Sequence, residues 1–308
     1  MTYLVSRVRP ARKKIIVWPL KSQNQFLHQT VPNNYLAEEL TLYNLLFSGA
    51  QIAHFHWIEY LFNKTSIFHT CKYVILICLL KLLRLKKVKL IYTVHNLIPN
   101  HVTINCWHSY VKRYNNFLSL IDAAVVLNPE TPTIAAEYLI TLPKSRHQVW
   151  HGFVYPDKFC TASVRDGIGI FGSASSYKNN SALQQLLHKL QSQNENIEFF
   201  GIHWRSYFPD LNVIDENELT LSSWLSTKKF IIVPNTSSLN SGVLWHSLQF
   251  GANIICDNPN LKKSVPCELR KYIRHSAENL TYIPIEPSMF LKYGKRAIQD
   301  RYLEVLES

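Results

Sequence analysis

The chain has 308 residues, 47% hydrophobic and 18% charged, with 33 Lys and Arg against 21 Asp and Glu, a net charge of +12. That length and composition are enough for two domains with sizeable cores and exclude a disordered or low-complexity chain. The positive balance favours anionic partners such as phosphorylated ligands, acidic lipid or nucleic acid, unless it only solubilises the surface.

In chain order, "KKIIVWPL" (13–20) predicts a strand closed by proline, and "NNYLAEELTLYNLLF" (33–47) a helix with an Asn cap. A strand "AQIAHFHWIE", a helix "HTCKYVILICLLKLLRLKK" and a strand "VKLIYTVHN" follow, covering 50–96. Next come a helix "SYVKRYNNFLSLI", a strand "DAAVVLN", a proline-opened helix "PETPTIAAEYLI" and a strand "HQVWHGF". Residues 155–167 are polar and broken by Pro156 and Gly167, which sets a boundary between 1–155 and 156–308. The pattern then restarts: strands "GIGIFGSA", "NIEFFGIHW", "KKFIIVPN" and "NIICDNP" alternate with helices "NNSALQQLLHKLQS", "ELTLSSWLST" and "SGVLWHSLQFG". A last helix spans about 287–307. Continuous apolar strands alternating with helices predict parallel sheets covered on both faces.

No two of the six cysteines form a C-x-x-C pair, and most fall in apolar segments, as reduced core cysteines do. The most hydrophobic stretch, 73–85, has only eight uncharged residues in a row, short of the ~20 that span a bilayer. Lys72, Lys81, Arg84, Lys86, Lys87 and Lys89 surround it. It reads either as a helix placed on an anionic leaflet or as a core helix with a basic edge.

In open parallel sheets, ligands bind outside the carboxyl ends of the strands. His54, His56 and Trp57, then His95 and Asn96, His151 and Gly152, and Asn235 all stand at such ends. Any one of them suits a capped strand end; together they point to a cleft. The turn Ser238, Asn240, Ser241, Gly242 opens a helix, where free N–H groups and the helix dipole make either an anion site or an ordinary N-cap.

"HFHWIE", "IYTVHNLIPNH", "VWHGF", "IFGSASSYKNN" and "IIVPNTSSLNSGVLWHSLQFGANIICDNP" resemble, in order and spacing, bacterial GT-B glycosyltransferases that build surface polysaccharides. The resemblance covers nearly the whole chain. It implies two Rossmann-like α/β domains facing each other across a cleft, 1–155 on the acceptor side and 156–308 on the donor side, with a C-terminal return helix. It implies sugar transfer from a nucleotide-sugar to a lipid-linked or free saccharide in polysaccharide or lipopolysaccharide synthesis, and the basic cluster beside the apolar 72–89 segment suits an enzyme peripheral on the cytoplasmic face of an inner membrane. On the donor side it points to Gly172, Lys178, Asn235, Asn240, Ser241, Gly242 and His246, with Lys178 neutralising the diphosphate. Trp57, Asn96, His101, His151 and Gly152 fall on the cleft side. His95, His56 and Glu59 are the candidate catalytic groups, His101 being a further candidate base.

The chain departs from the pattern. Ser238 and His246 stand where many retaining members carry two glutamates, and Ser173 where a basic residue is common. Pro99, Asn100 and His101 replace Pro-His-Glu. No Asp-x-Asp occurs, so no metal is expected, and no cofactor beyond the nucleotide-sugar substrate. Two alternatives remain: an epimerase-like enzyme of the same fold, and a basic nucleic-acid- or membrane-binding protein. The bases are scattered rather than arrayed as a nucleic-acid stripe, so nucleic acid is not an expected partner.

Overall fold

The structure, a computed structural model, describes residues 12–20, 26–27, 30–63, 66–98, 104, 106–153, 164–172, 181–193, 195–215, 217, 219–234, 239–276 and 278–308. Two six-stranded sheets organise the chain, and every strand pairing in both is parallel. The first contains β1 (Lys13–Trp18), β2 (Tyr35–Glu39), β3 (Ile52–His56), β4 (Lys89–Val94), β5 (Ala123–Val126) and β6 (Ser145–Gln148), in the order β2-β1-β3-β4-β5-β6. Its helices are α1 (Leu42–Phe47), α2 (Ile67–Leu85), α3 (Trp107–Leu118) and α4 (Thr131–Glu137). The second contains β7 (Ile168–Ile170), β8 (Ile197–Phe200), β9 (Asn212–Ile214), β10 (Phe230–Ile232), β11 (Asn253–Ile255) and β12 (Ile273–Arg274), ordered β12-β11-β10-β7-β8-β9. With it run α5 (Ser181–Ser192), α6 (Leu221–Thr227), α7 (Gly242–Gln249), α8 (Pro259–Lys262), α9 (Ser288–Tyr293) and α10 (Lys295–Glu307). Strand order reverses between β1 and β3 in one sheet and between β7 and β10 in the other, and a crevice opens at such a reversal.

The alternation of side chains sorts β4 onto two cores. Leu90, Tyr92 and Val94 join α2 and α3 on one face, whereas Ile91 joins Ile15, Val17 and Val125 on the other. That second face is covered by α10 through Ile298, Tyr302, Val305 and Leu306. Lys89 Nζ donates to the carbonyl of Val305 at 2.9 Å, placing a cation at the negative end of α10. Chain order groups the terminal helix with residues 156–308, but its apolar face lies on the first sheet.

Five elements differ from the sequence reading. Residues 33–47 do not form one helix: Tyr35–Glu39 pair with β1, Lys13 opposite Tyr35 and Val17 opposite Glu39. An open sheet edge offers these residues a ladder of backbone hydrogen bonds, which outweighs a modest helical spacing. The helix starts only at Leu42, with Thr41 Oγ1 accepting from the Asn44 N–H at 3.0 Å. The strand expected at "HQVWHGF" lies upstream, at Ser145–Gln148, and leaves Val149 to Phe153 outside the sheet. β9 and β12, missed in the sequence, have three and two residues and lack the flanking apolar run that marks the equally short β7, β10 and β11. The final helix breaks at Gly294, where a side chain would overlap the Phe290 carbonyl.

The cysteines also differ. Cys256 is buried, but Cys71, Cys78, Cys106 and Cys267 are exposed and free.

Candidate active site

β3 and β4 end side by side, with His56 opposite Thr93 in the register. Alternation sends His54, His56, Thr93 and His95 to the face under α10. His54 Nε2 lies 2.8 Å from Thr93 Oγ1, and His56 Nδ1 lies 3.0 Å from His95 Nε2. All three imidazoles are buried, as is His151. Burial penalises the imidazolium, so the pKa of His54 and of His151 falls to about 3, and His56 and His95 lie well below the ordinary value. The cluster is therefore neutral. His54 Nδ1 and His56 Nε2 are buried with no hydrogen-bond partner among the described residues.

Aromatic rings fix these imidazoles. Trp57 stacks on His95 with ring centroids 4.0 Å apart, and holds φ 47° to do so. A left-handed tryptophan costs of order 1–3 kcal/mol, a strain that clusters at ligand sites. Phe26 stacks on His151 at 4.4 Å and meets His95 edge-on at 5.2 Å. His151 Nδ1 is 3.2 Å from the carbonyl of Gly152. A carbonyl only accepts, so Nδ1 carries the proton and Nε2 keeps its lone pair. Gly152 has φ 71°, and a side chain there would collide with Ile298 of α10.

Among the described residues, the second sheet brings glycine backbone to the site. β7 runs into Gly172 at φ 102°, and a Cβ at Gly172 would stand 3.3 Å from Val243 in the first turn of α7. His203 Nε2 donates to the Gly172 carbonyl at 2.9 Å. Ser241 caps α7, its Oγ accepting from the Leu244 N–H at 3.4 Å. A Cβ at Gly242 would lie 3.9 Å from His151 Nε2, so the positive end of α7 abuts the lone pair of that imidazole. His246, one turn further on, is only partly buried, and its pKa is pushed down to about 4 by burial.

Asparagines join the halves. Asn240 Nδ2 donates to the His95 carbonyl at 2.9 Å. Asn128, just past β5, donates to the carbonyls of Leu239 and Asn260, both at 2.8 Å. The turn before α7 is thereby held against the ends of β4 and β5.

His56, His95, Trp57, His151, Gly152, Gly172, Asn240, Ser241 and Gly242 thus form one connected group. Glu59 stands on the other face of the first sheet. Its carboxylate accepts from Tyr92 Oη and from Asn96 Nδ2, both at 3.3 Å, and burial raises its pKa to about 7. It reaches the histidines only through Asn96, the residue after His95. Lys178, Asn235 and His101 lie outside the described residues. The sequence reading singled out neither Asn128 nor His203 nor Phe26. Asn128 carries the same signal as Asn96, an amide closing an apolar strand; His203 and Phe26 carry none. Among the described residues no three His, Cys, Asp or Glu side chains converge as a metal requires.

Neither protein-family models nor curated protein sequences match the chain. Solved structures do. Anabaena HepE, determined in complex with UDP and glucose, aligns over 96% of this chain and 100% of its own, with TM-score 0.60 and 8% identity. The pneumococcal O-GlcNAc transferase GtfA, in complex with UDP and GlcNAc, aligns over 83% of this chain with TM-score 0.48 and 11% identity. The O-GlcNAc transferase of Thermobaculum terrenum aligns over 97% with TM-score 0.48 and 13% identity. This chain spans about half the length of GtfA, 49% of it. At 8% identity the likeness to HepE shows the fold alone.

Proposed function

We propose that the chain transfers a sugar from a nucleotide-sugar, with a UDP-sugar the first donor to test, to a saccharide acceptor. The observation that carries this reading is the meeting of the α7 N-terminus with Gly172 on one side and His151 and His95 on the other. Free N–H groups at Ser241 and Gly242, together with Lys178 after β7, take the donor diphosphate, and Gly172 and Gly242 let it approach the backbone. This charge stabilisation needs no cofactor and no metal. The acceptor oxygen bonds to the anomeric carbon as the bond to the diphosphate breaks, and the acceptor proton passes to a departing phosphate oxygen. Imidazoles held far below neutral pKa are weak bases, so His95, His151 and His56 orient hydroxyl groups rather than abstract protons.

The two halves, 1–155 and 156–308, act as acceptor and donor domains across the cleft. In this proposal the acceptor is lipid-linked, the product a bacterial polysaccharide or lipopolysaccharide, and the enzyme peripheral on the inner membrane. The test is a thermal-shift screen with UDP, GDP, CMP and dTDP sugars, because ligands that bind only the native state raise its melting temperature. One nucleotide class should stabilise the protein, and Lys178→Ala should weaken that effect without lowering the ligand-free melting temperature. Failure of every nucleotide-sugar to bind overturns the reading.

A further inference from the structure

We propose that the outward face of α2 docks the protein flat on an anionic lipid bilayer. Leu76, Ile77, Leu80 and Leu83 form the buried side of this 19-residue helix. Its opposite side is also apolar. Ile67, Val74 and Leu85 are 84%, 51% and 82% exposed, and with the exposed Cys71 and Cys78 they follow one another every three, four or seven residues. That spacing is one strip along the helix, ~27 Å long at 1.5 Å per residue, flanked by Phe68 and Ile75, which are 64% and 57% exposed. Scattered surface apolar residues need no explanation, but exposed apolar residues aligned along one helix, interrupted by Lys81 between Cys78 and Leu85, mark a contact surface.

Charge identifies the occupant. From Tyr60 to Ile121 the sequence contains Lys64, Lys72, Lys81, Arg84, Lys86, Lys87, Lys89, Lys112 and Arg113 and not one Asp or Glu. Lys72, Lys81, Arg84, Lys86 and Lys87 are exposed on α2 and its last turn. Among the described residues Lys72, Lys81, Arg84 and Lys87 enter no salt bridge, and Lys72 Nζ sits 4.2 Å over the ring of Phe68. Such a face repels its own copy, because pairing two of them brings cation against cation across an apolar seam. A bilayer satisfies both features. The strip enters the acyl boundary while the long Lys and Arg side chains reach back to acidic headgroups.

The helix lies on the surface rather than through it: no described helix is long and apolar enough to cross a membrane. The exposed Tyr43 and Phe47 of α1 extend the surface. The β2-to-β3 and β3-to-β4 connections step the same way across the sheet, so right-handed crossovers put α1 and α2 on one face. The docking stands on this face alone and does not require the transfer reaction.

The experiment is flotation of the full chain, without nucleotide, against vesicles of phosphatidylcholine alone and of phosphatidylcholine doped with phosphatidylglycerol. Binding should require phosphatidylglycerol and be released by salt. Lys81→Glu with Lys87→Glu should weaken it by about tenfold or more. Val74→Ser with Ile75→Ser should weaken it too, with the melting temperature unchanged because both side chains already face solvent. The proposal fails if the wild-type chain stays unbound with phosphatidylglycerol vesicles, or if it binds neutral and anionic vesicles alike. It fails equally if light scattering shows a dimer that Val74→Ser with Ile75→Ser separates while vesicle binding is absent.

Discussion

The two sheets end in opposite ways. The carboxyl edge of the first is furnished with side chains: His54, His56, Thr93, His95 and Asn128 are all buried there. Among the described residues, the carboxyl edge of the second presents backbone at Gly172, at the end of β7, and at Ser241-Gly242, at the start of α7. Backbone N–H groups suit a group defined by charge, such as a diphosphate, because they are fixed in place and cannot be titrated. Side chains suit a group defined by its hydrogen-bonding pattern, such as a sugar hydroxyl. Substitutions should therefore act differently on the two edges: changes of side chain at the first, changes of backbone access at the second.

Acid should have the largest effect and should act on the first edge. The folded-state pKa of His54 and of His151, about 3, lies below the ordinary 6.5. The unfolded chain then binds more protons between those values, and stability falls as pH drops through that window. Each such histidine contributes up to about 1.4 kcal/mol per pH unit. His246 keeps an edge on solvent and contributes least. Glu59 has the opposite sign. Its pKa is raised from 4.5 to about 7, so its share of stability declines as pH rises between those values. Urea unfolding at a series of pH values should show the acid loss, and Glu59→Gln should remove the decline toward neutrality while leaving the acid limb in place.

Next in size is Gly152→Ala. Its Cβ would meet Ile298 and lie 2.9 Å from the Tyr293 carbonyl, at a backbone φ of 71°. A loss of about 3 kcal/mol is expected by urea unfolding. Gly242→Ala, with only His151 at 3.9 Å, should leave stability unchanged and instead raise the KM for the donor. If both substitutions act only on stability, the contrast between the edges fails.

His95→Ala should lower turnover by about 10²-fold while nucleotide affinity survives, as expected of a positioning residue. Parallel loss of nucleotide affinity and melting temperature would make His95 a support of the fold only. Asn128→Ala strands the carbonyls of Leu239 and Asn260 and should cost about 2 kcal/mol. The smallest effect belongs to Lys263→Ala. Its 3.3 Å pair with Glu130 is partly exposed, and such pairs contribute less than about 1 kcal/mol. A larger loss there would show the halves to be held by surface charge rather than by the asparagines.

The alternation of strands and helices, the restart after residue 167 and the polar ends of the apolar strands are legible in the chain itself. These are local properties: β-branched runs such as Ile15 to Val17, a proline at a helix start, and an imidazole or amide where a buried strand must stop. Which of those ends meet depends on how the elements pack. Glu59 is three residues from His56 in the chain, yet the turn after β3 sends its carboxylate to the opposite face, between Tyr92 and Asn96. Asn240 reaches His95 across 145 positions because the turn before α7 is carried by the other sheet. The open edge of β1 turned Tyr35–Glu39 from helix to strand, and the uncovered face of the first sheet drew α10 back onto it. An edge in need of hydrogen bonds and a face in need of cover exist only after the sheet has formed, and for that reason no local pattern recorded them.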